Sequence, residues 1–104
     1  MGARIVLTTA ESKAQAQQIA RTLVERRLAA CVNVLGPMHS IYRWKGAIEN
    51  AEEWLLLIKT TVTAAPRVQD AIRELHSYEL PECITLEVED GSREYLAWIA
   101  HNVD

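Results

Sequence analysis

The sequence predicts an α+β fold of the ferredoxin-like type, a βαββαβ plait with an additional C-terminal helix and a long β2–β3 hairpin. Three observations support this fold class. Strand and helix patterns follow one another in that order along the chain. Residues 54–58 are apolar at every position, as expected of a central strand that is covered on both faces. Lys45-Gly46 marks a tight turn between two strand-like segments. The plait places its strands in the order 4-1-3-2, so the third strand is central.

The first strand and the first helix occupy the N-terminal part of the chain. Residues 5–9 form a short β-branched run, which is typical of a strand. Ser12, followed three residues later by Gln15, matches a capping box and begins a helix. Apolar residues then recur at spacings of three and four, which predicts an amphipathic helix over residues 12–28.

The middle of the chain predicts a hairpin. Residues 30–35 read as the second strand, Gly36-Pro37 breaks or bends it, and residues 40–44 resume it. Lys45-Gly46 forms the turn, because glycine supplies the positive φ that a tight turn requires. The chain then returns into the apolar strand at residues 54–58, which ends near residue 61.

The C-terminal part predicts a helix, a strand and a last helix. Thr63 is the expected cap of the second helix, with Pro66 in its first turn. Its buried stripe consists of Val68, Ala71, Ile72 and Leu75. Pro81 stops further helix, and residues 84–89 alternate as a strand with one wet face. Ser92 is the expected cap of the last helix.

Length and composition limit the classes to which the protein can belong. With 104 residues the chain forms one domain over residues 1–104, and its net charge of −3 argues against a nucleic-acid reader. Its apolar runs are too short to span a membrane. Glu11 and Lys13 interrupt any signal-peptide core, so we expect a cytoplasmic protein. Two cysteines are too few for a disulfide framework.

The apolar central strand also predicts self-association. The two plait helices cover one face of the sheet, and the last helix is too short to cover all of the other face. Large apolar side chains left in water would each forgo roughly 1.5–3 kcal/mol. We therefore expect copies of the chain to cover this face and its strand edges, the alternative being that the last helix covers the face alone.

Few residues are candidates for catalysis or for binding a metal ion or another ligand. Cys31 and Cys83 open strands on opposite edges of the predicted sheet, too far apart for a disulfide within one chain. The three histidines show no ligand spacing, and His76 suits the C-terminus of the second helix as well as a metal. Lys59 can meet Glu82, meet an anionic ligand or reach into solvent. No catalytic motif is present, so we expect a protein that is not an enzyme.

The acidic hairpin residues predict no metal site of their own. Glu49, Glu52 and Glu53 are interpreted as a solvated strand face rather than as ligands of a hard cation.

Five blocks of the sequence, in the same order and spacing, resemble the CutA divalent-cation-tolerance family. They are Ala29–Val34 (AACVNV), Ser40–Gly46 (SIYRWKG), Leu57–Thr61 (LIKTT), His76–Glu82 (HSYELPE) and Tyr95–Ile99 (YLAWI). The resemblance implies ferredoxin-like subunits in a homotrimer of PII-like architecture, connected with tolerance of copper and other divalent metal ions. It implies no catalytic activity and no required cofactor, with Cu²⁺ or another divalent cation as the candidate ligand.

The resemblance also implies site residues. The positions that bind metal in some members correspond here to Thr8, Leu75 and His76, of which only His76 offers copper a suitable ligand. The family's inter-subunit clefts correspond to Tyr42, Trp44, Lys59, Tyr78 and Trp98. These five either bind a small ligand or pack the trimer. The alternative function is a PII-like signalling module that binds a small anion between subunits and presents a surface to a protein partner.

Overall fold

The computed structural model describes residues 2–104 and confirms the predicted fold class. Its elements follow the predicted order, ending in the additional helix. They are β1 (Ala3–Ala10), α1 (Lys13–Glu25), β2 (Cys31–Trp44), β3 (Ala47–Thr61), α2 (Ala65–Leu75), β4 (Ile84–Glu87) and α3 (Arg93–His101). The strands form one antiparallel sheet in the order β2-β3-β1-β4, so β1 and β3 are central as the sequence predicts.

The main core lies between one face of the sheet and the helices α1 and α2. Alternate residues of a strand point to opposite faces, and the fully buried ones here all point to these helices. The sheet contributes Val6, Leu56 and Ile58, and the helices contribute Ile19, Leu23, Val68 and Ile72. The predicted apolar stripe of α2 is therefore confirmed, with Leu75 half-buried at its end.

The opposite face of the sheet is only partly covered. Helix α3 packs over one end of it, where Ile99 and Val103 contact Ala3 and Ala30. Elsewhere, apolar side chains on this face remain accessible to water. Those about half exposed are Leu35 (48%), Ile84 (50%) and Leu86 (45%). We call this surface the open sheet face.

The β2–β3 hairpin extends beyond the rest of the sheet. β1 pairs only with the second half of β3, from Trp54 onward, so the outer part of the hairpin is two-stranded. Its turn confirms the sequence prediction, with positive φ at Lys45 (51°) and Gly46 (83°). The strands remain paired through Gly36-Pro37, where the register shifts by one residue between Leu35 and Met38.

That register shift decides which hairpin residues share the open sheet face. Leu35 pairs with Leu55, and Met38 pairs with Glu53, so β2 carries one extra residue between these pairs. Directly opposed residues lie on the same face. Even-numbered residues of β2 beyond the bulge, including Tyr42 and Trp44, therefore share the face of Leu55.

The first helix ends earlier than its periodicity predicts, at Glu25 rather than residue 28. The N–H of Leu28 bonds to the carbonyl of Leu23 and that of Arg27 bonds to Val24, while Arg27 has a φ of 58°. This is a Schellman turn, which ends a helix through one left-handed residue. Leu28 is still buried, so it continues the apolar pattern without being helical.

Two further expectations are wrong. Thr63 does not cap α2, because the cap residue is Ala64 and its N–H bonds to the hydroxyl of Thr61 instead. β4 ends at Glu87 rather than residue 89, although the N–H of Val88 still bonds to the carbonyl of Ala3 at the start of β1. The predicted caps at Ser12 and Ser92 are confirmed, since each hydroxyl accepts a bond from the N–H three residues on. No helix in the described part of the chain has the length and hydropathy of a transmembrane segment.

Candidate functional site

A pocket of about 420 Å³ lies where one face of the hairpin meets the loop that follows α2. Three of the predicted cleft residues line it, namely Tyr42, Trp44 and Tyr78. Four carboxylates share its wall, those of Glu11, Glu53, Glu79 and Glu82. We call it the acidic pocket. The bulge in β2 and the long loop after α2 together bring these groups to one place.

Glu53 is the most deeply placed charge in the acidic pocket. The residue is only 8% exposed, and its Oε2 accepts a hydrogen bond of 2.7 Å from the Tyr78 hydroxyl. Burial and this hydrogen bond raise the pKa of Tyr78 well above its ordinary value, so the phenol stays protonated and donates. Across residues 2–104, no basic nitrogen lies within 4.0 Å of the Glu53 carboxylate.

The other carboxylates add to the negative potential. Burial raises the pKa of Glu82, and the nearby charge of Glu53 raises it further. Glu11 accepts a 2.7 Å hydrogen bond from the Ser77 hydroxyl. The cation at the rim is Lys45, whose Nζ lies 4.0 Å from Glu79 and 5.5 Å from the centre of the Trp44 ring.

His76 joins the loop of the acidic pocket to the end of β1. Its N–H bonds to the carbonyl of Ile72, which closes α2. Its ring nitrogen Nε2 lies 2.5 Å from the carbonyl oxygen of Thr9, and Nδ1 accepts the N–H of Tyr78 at 3.1 Å. These partners require the neutral tautomer with its proton on Nε2. A metal ion at Nδ1 has to replace the Tyr78 hydrogen bond.

The other two positions suggested for metal offer no ligand. Thr8 lies within the main core, where its hydroxyl oxygen is buried without a hydrogen-bond partner, and Leu75 is apolar. The residues that the structure describes contain no group of three or more histidine, cysteine, aspartate or glutamate side chains arranged to hold a metal ion.

Lys59 and Trp98 lie apart from the acidic pocket within one subunit. Both belong to a group on the open sheet face that is centred on Tyr95. The ammonium of Lys59 lies 3.2 Å from the Tyr95 hydroxyl and 5.4 Å from the centre of its ring. The rings of Tyr95 and Trp98 are 5.4 Å apart. The predicted partner Glu82 is instead part of the acidic pocket.

The cysteines behave as the sequence predicts. Cys31 and Cys83 are both free and half-buried, one beginning the edge strand β2 and the other directly preceding the edge strand β4. Burial raises the pKa of the Cys83 thiol, against the opposing effect of nearby Arg73, so it is a poor nucleophile.

The main error at the site concerns Glu53. It is buried, whereas its neighbours Glu49 and Glu52 are exposed, so the interpretation of all three as a solvated face is wrong for Glu53. The strand period contained a signal, since alternate positions counted back from Leu57 and Leu55 lead to Glu53. A carboxylate on that apolar face requires a partner, and the structure supplies Tyr78. Tyr95 is the other contributor that sequence reasoning did not select.

The comparisons with known proteins all indicate the same family. The family model described as "CutA1 divalent ion tolerance protein" matches residues 4–102. The divalent-cation tolerance protein CutA of Thermus thermophilus is 46% identical over 98 residues, which are 94% of this chain and 95% of that protein. Protein CutA of Homo sapiens is 46% identical over 91 residues, which are 88% of this chain but 51% of the human protein. The crystal structure of CutA from Xylella fastidiosa superimposes with a TM-score of 0.97 at 39% identity, covering 100% of both chains.

Proposed function

The chain belongs to the CutA1 divalent ion tolerance protein family, and from this premise we propose that it acts in tolerance of divalent metal ions, copper among them. The observation that carries the proposal is the family match over residues 4–102, reinforced by 46% identity to a relative named for divalent-cation tolerance. In this proposal the protein binds ions or ligands and catalyses no reaction. It works in the cytoplasm, where its two free cysteines stay reduced.

The proposed active form is a homotrimer of PII-like architecture. The open sheet face supports self-association, because Leu35, Ile84 and Leu86 remain about half exposed in a single subunit. The outer edges of β2 and β4 are unpaired in the subunit, and neighbouring copies would protect them. Bringing copies together also provides a way to join the acidic pocket of one subunit to the Lys59 group of another.

Metal binding in this proposal is weak and centred on His76. An imidazole nitrogen suits Cu²⁺, and the carboxylates of the adjoining acidic pocket attract cations. Because Nδ1 of His76 already accepts the N–H of Tyr78, a metal ion competes with a formed hydrogen bond. That competition lowers affinity by about the strength of one such bond, roughly 0.5–1.5 kcal/mol.

Calorimetric titration with Cu²⁺ tests the proposal, in parallel with native mass spectrometry of the same samples. We expect saturable binding that His76→Ala weakens by about tenfold or more, because the imidazole is lost. The matched control is His101→Ala, which removes an exposed histidine at the end of α3 and should leave binding unchanged. Equal weakening by both variants, or the absence of saturable Cu²⁺ binding, would contradict the proposal.

One observation favours the alternative of a signalling module that binds a small anion. The Lys59 ammonium bonds to the Tyr95 hydroxyl, and none of the carboxylates in the described residues forms an ion pair with it. An anionic ligand between subunits would satisfy this charge. Titration with a panel of nucleotides tests the alternative, and saturable binding that is lost in Lys59→Ala would support it over the metal proposal.

A further inference from the structure

We infer that the acidic pocket receives a second copy of this chain, whose Lys59 ammonium enters it and forms ion pairs with Glu53 and Glu82. This contact rests on the self-association of the proposed function, and it specifies how one subunit joins the next. A Lys59 that is paired in this way is not available to a small anion, so the contact accompanies the metal proposal rather than its alternative.

The acidic pocket carries more negative charge than its own subunit balances. Four carboxylates line it, and Lys45 at the rim forms an ion pair with one of them, Glu79. In the described part of the chain, no basic nitrogen lies within 4.0 Å of the carboxylates of Glu53 and Glu82. The Tyr78 hydroxyl gives Glu53 a hydrogen bond but no positive charge. Burial and the charge of Glu53 raise the pKa of Glu82, and a nearby cation would lower it.

Lys59 supplies a second, independent observation on the open sheet face. The strands of the described residues carry three basic side chains, those of Arg4, Arg43 and Lys59. The register places both arginines on the face opposite to Lys59, because Arg4 is paired with Thr60 and Arg43 with Ile48. Lys59 is thus the strand cation of the open sheet face, and it forms no ion pair among the described residues.

A single subunit does not bring these opposite charges together. Glu53 and Lys59 lie on the same face of β3, but roughly 20 Å apart at about 3.4 Å per residue. Leu55 and Leu57 lie between them on that face, and Leu35, which is paired with Leu55, is about half exposed. A face with an acidic end, an apolar middle and a basic end is complementary to itself when copies are offset. In a closed ring, each copy then extends its lysine to one neighbour and receives a lysine from the other.

Aromatic side chains lie at both ends of the inferred contact. Tyr95 and Trp98 are exposed beside Lys59, and the exposed Tyr42 lines the acidic pocket together with Trp44. Aromatic residues are enriched in the buried centres of protein interfaces, because they bury a large apolar area and keep a polar end. Covering the ion pairs with these rings would exclude water and strengthen the attraction between the charges.

Crosslinking of the full-length protein without a spacer tests the contact. A carbodiimide joins a lysine amine to a carboxylate that touches it, and it takes up the water released as the amide forms. The chain has three lysines, Lys13, Lys45 and Lys59, so few products are possible. Linked chains are separated by denaturing electrophoresis, digested and identified by mass spectrometry. We expect their peptides to join Lys59 to Glu53 or Glu82.

Variants assign the linked band to Lys59. Lys59→Arg keeps the positive charge without the reactive amine, so it should still form trimers but lose the linked band. Lys13→Arg removes an exposed amine of α1 and should leave the band unchanged. The pair of Lys45 and Glu79 links within one chain and confirms in every sample that the reagent is active. Lys59→Met should raise the concentration at which copies separate by at least about tenfold, because it leaves the carboxylates buried without their cation.

The possible results distinguish this contact from the proposed function. Trimers whose linked peptides exclude Lys59, or join it to carboxylates other than Glu53 and Glu82, would overturn the contact without affecting the assembly or the Cu²⁺ titration. Separation of Lys59→Met at the same concentration as the control Lys13→Met would also overturn it. A wild type that sediments as a monomer would overturn the contact and the self-association together.

Discussion

The pairing of Tyr78 with Glu53 explains how a carboxylate is kept inside the protein. Both Tyr78 and Glu53 are held by local structure, since His76 accepts the N–H of Tyr78 and β3 fixes Glu53 opposite Met38. The phenol is thereby presented to the carboxylate at 2.7 Å. Hydrogen bonds to charged groups are the stronger ones, worth about 1.5–3 kcal/mol. Removing the donor leaves the carboxylate buried with less compensation.

We therefore predict that Tyr78→Phe lowers the free energy of unfolding by about 1.5–3 kcal/mol at pH 7. The loss should shrink at alkaline pH. Tyr78 has a raised pKa in the folded protein, so the folded state keeps its proton while the unfolded chain releases it above about pH 10. The stability that Tyr78 contributes is thus complete below that pH and decreases above it, whereas phenylalanine does not titrate.

Urea unfolding at pH 7 and pH 11, at one protein concentration, measures this difference. The control is Tyr42→Phe, because the Tyr42 hydroxyl makes no hydrogen bond with residues 2–104. That variant should stay within about 0.5 kcal/mol of the wild type at pH 7. A Tyr78→Phe variant as stable as the wild type at pH 7, or equally destabilised at both pH values, would contradict the prediction.

At the scale of single residues, sequence reasoning found the aromatic groups but not their charged partner. Tyr42, Trp44 and Tyr78 were selected through the family resemblance, and one subunit does bring them together. The burial of Glu53 depends on a loop 25 positions further along the chain, and local patterns contain no information about that contact. Lys59 belongs to a different group within the subunit, because it lies further along β3 than Glu53 on the same face and meets Tyr95 there.

At the scale of elements, the bulge in β2 determines what the hairpin presents. The sequence predicts a break or bend at Gly36-Pro37, and the structure resolves it as one extra residue in a continuous strand. One extra residue exchanges the faces of everything beyond it. Tyr42 and Trp44 face the acidic pocket for this reason. Residue types alone give the position of a bulge more readily than its register, which depends on pairing with β3.

Gly36 is required at this bulge because Trp54 occupies the space of a side chain. A Cβ at Gly36 would lie 2.6 Å from Cδ1 of Trp54 and 3.1 Å from the carbonyl oxygen of Glu53. We predict that Gly36→Ala lowers the free energy of unfolding by about 1–3 kcal/mol, as overpacking generally does. Tryptophan fluorescence should also shift, since the Trp54 ring has to move.

The control is Gly91→Ala, where the nearest atoms to a new Cβ belong to Leu96 at 3.4 Å. That spacing is close to ordinary van der Waals contact, so stability should change little. Thermal and urea unfolding of both variants, with emission spectra, provide the measurement. If Gly36→Ala unfolds at the same urea concentration as Gly91→Ala, the close packing of Trp54 on the bulge does not constrain residue 36.

At the scale of the whole molecule, the two faces of the sheet differ in how far a single chain covers them. The sequence predicts the strand order and the core beneath α1 and α2, and both are confirmed, because apolar periodicity reports directly on burial within a chain. The alternation of apolar and polar residues in β4 also places Ile84 and Leu86 together on an apolar face, yet each is about half exposed. Within residues 2–104, α3 covers one end of that face and the loop after α2 contacts it at Glu53, which leaves Ile84 and Leu86 accessible. Self-association remains a prediction that addresses this exposed surface.

Lysine substitution on the open sheet face tests the assembly. Leu86 is 45% exposed in the subunit, so a lysine there can reach water and should leave an isolated subunit folded. In an assembly that covers this face, Leu86→Lys would bury an unpaired charge, which is costly enough to separate the copies. Thr85→Lys is the matched control, because Thr85 adjoins Leu86 on β4 but faces the side of α2, where it bonds to Gln69.

By sedimentation velocity and native mass spectrometry we expect trimers for the wild type and Thr85→Lys, and folded monomers or aggregates for Leu86→Lys. A wild type that sediments as a stable monomer at micromolar concentration would show that α3 suffices to cover the sheet, and the inter-subunit clefts would then not exist.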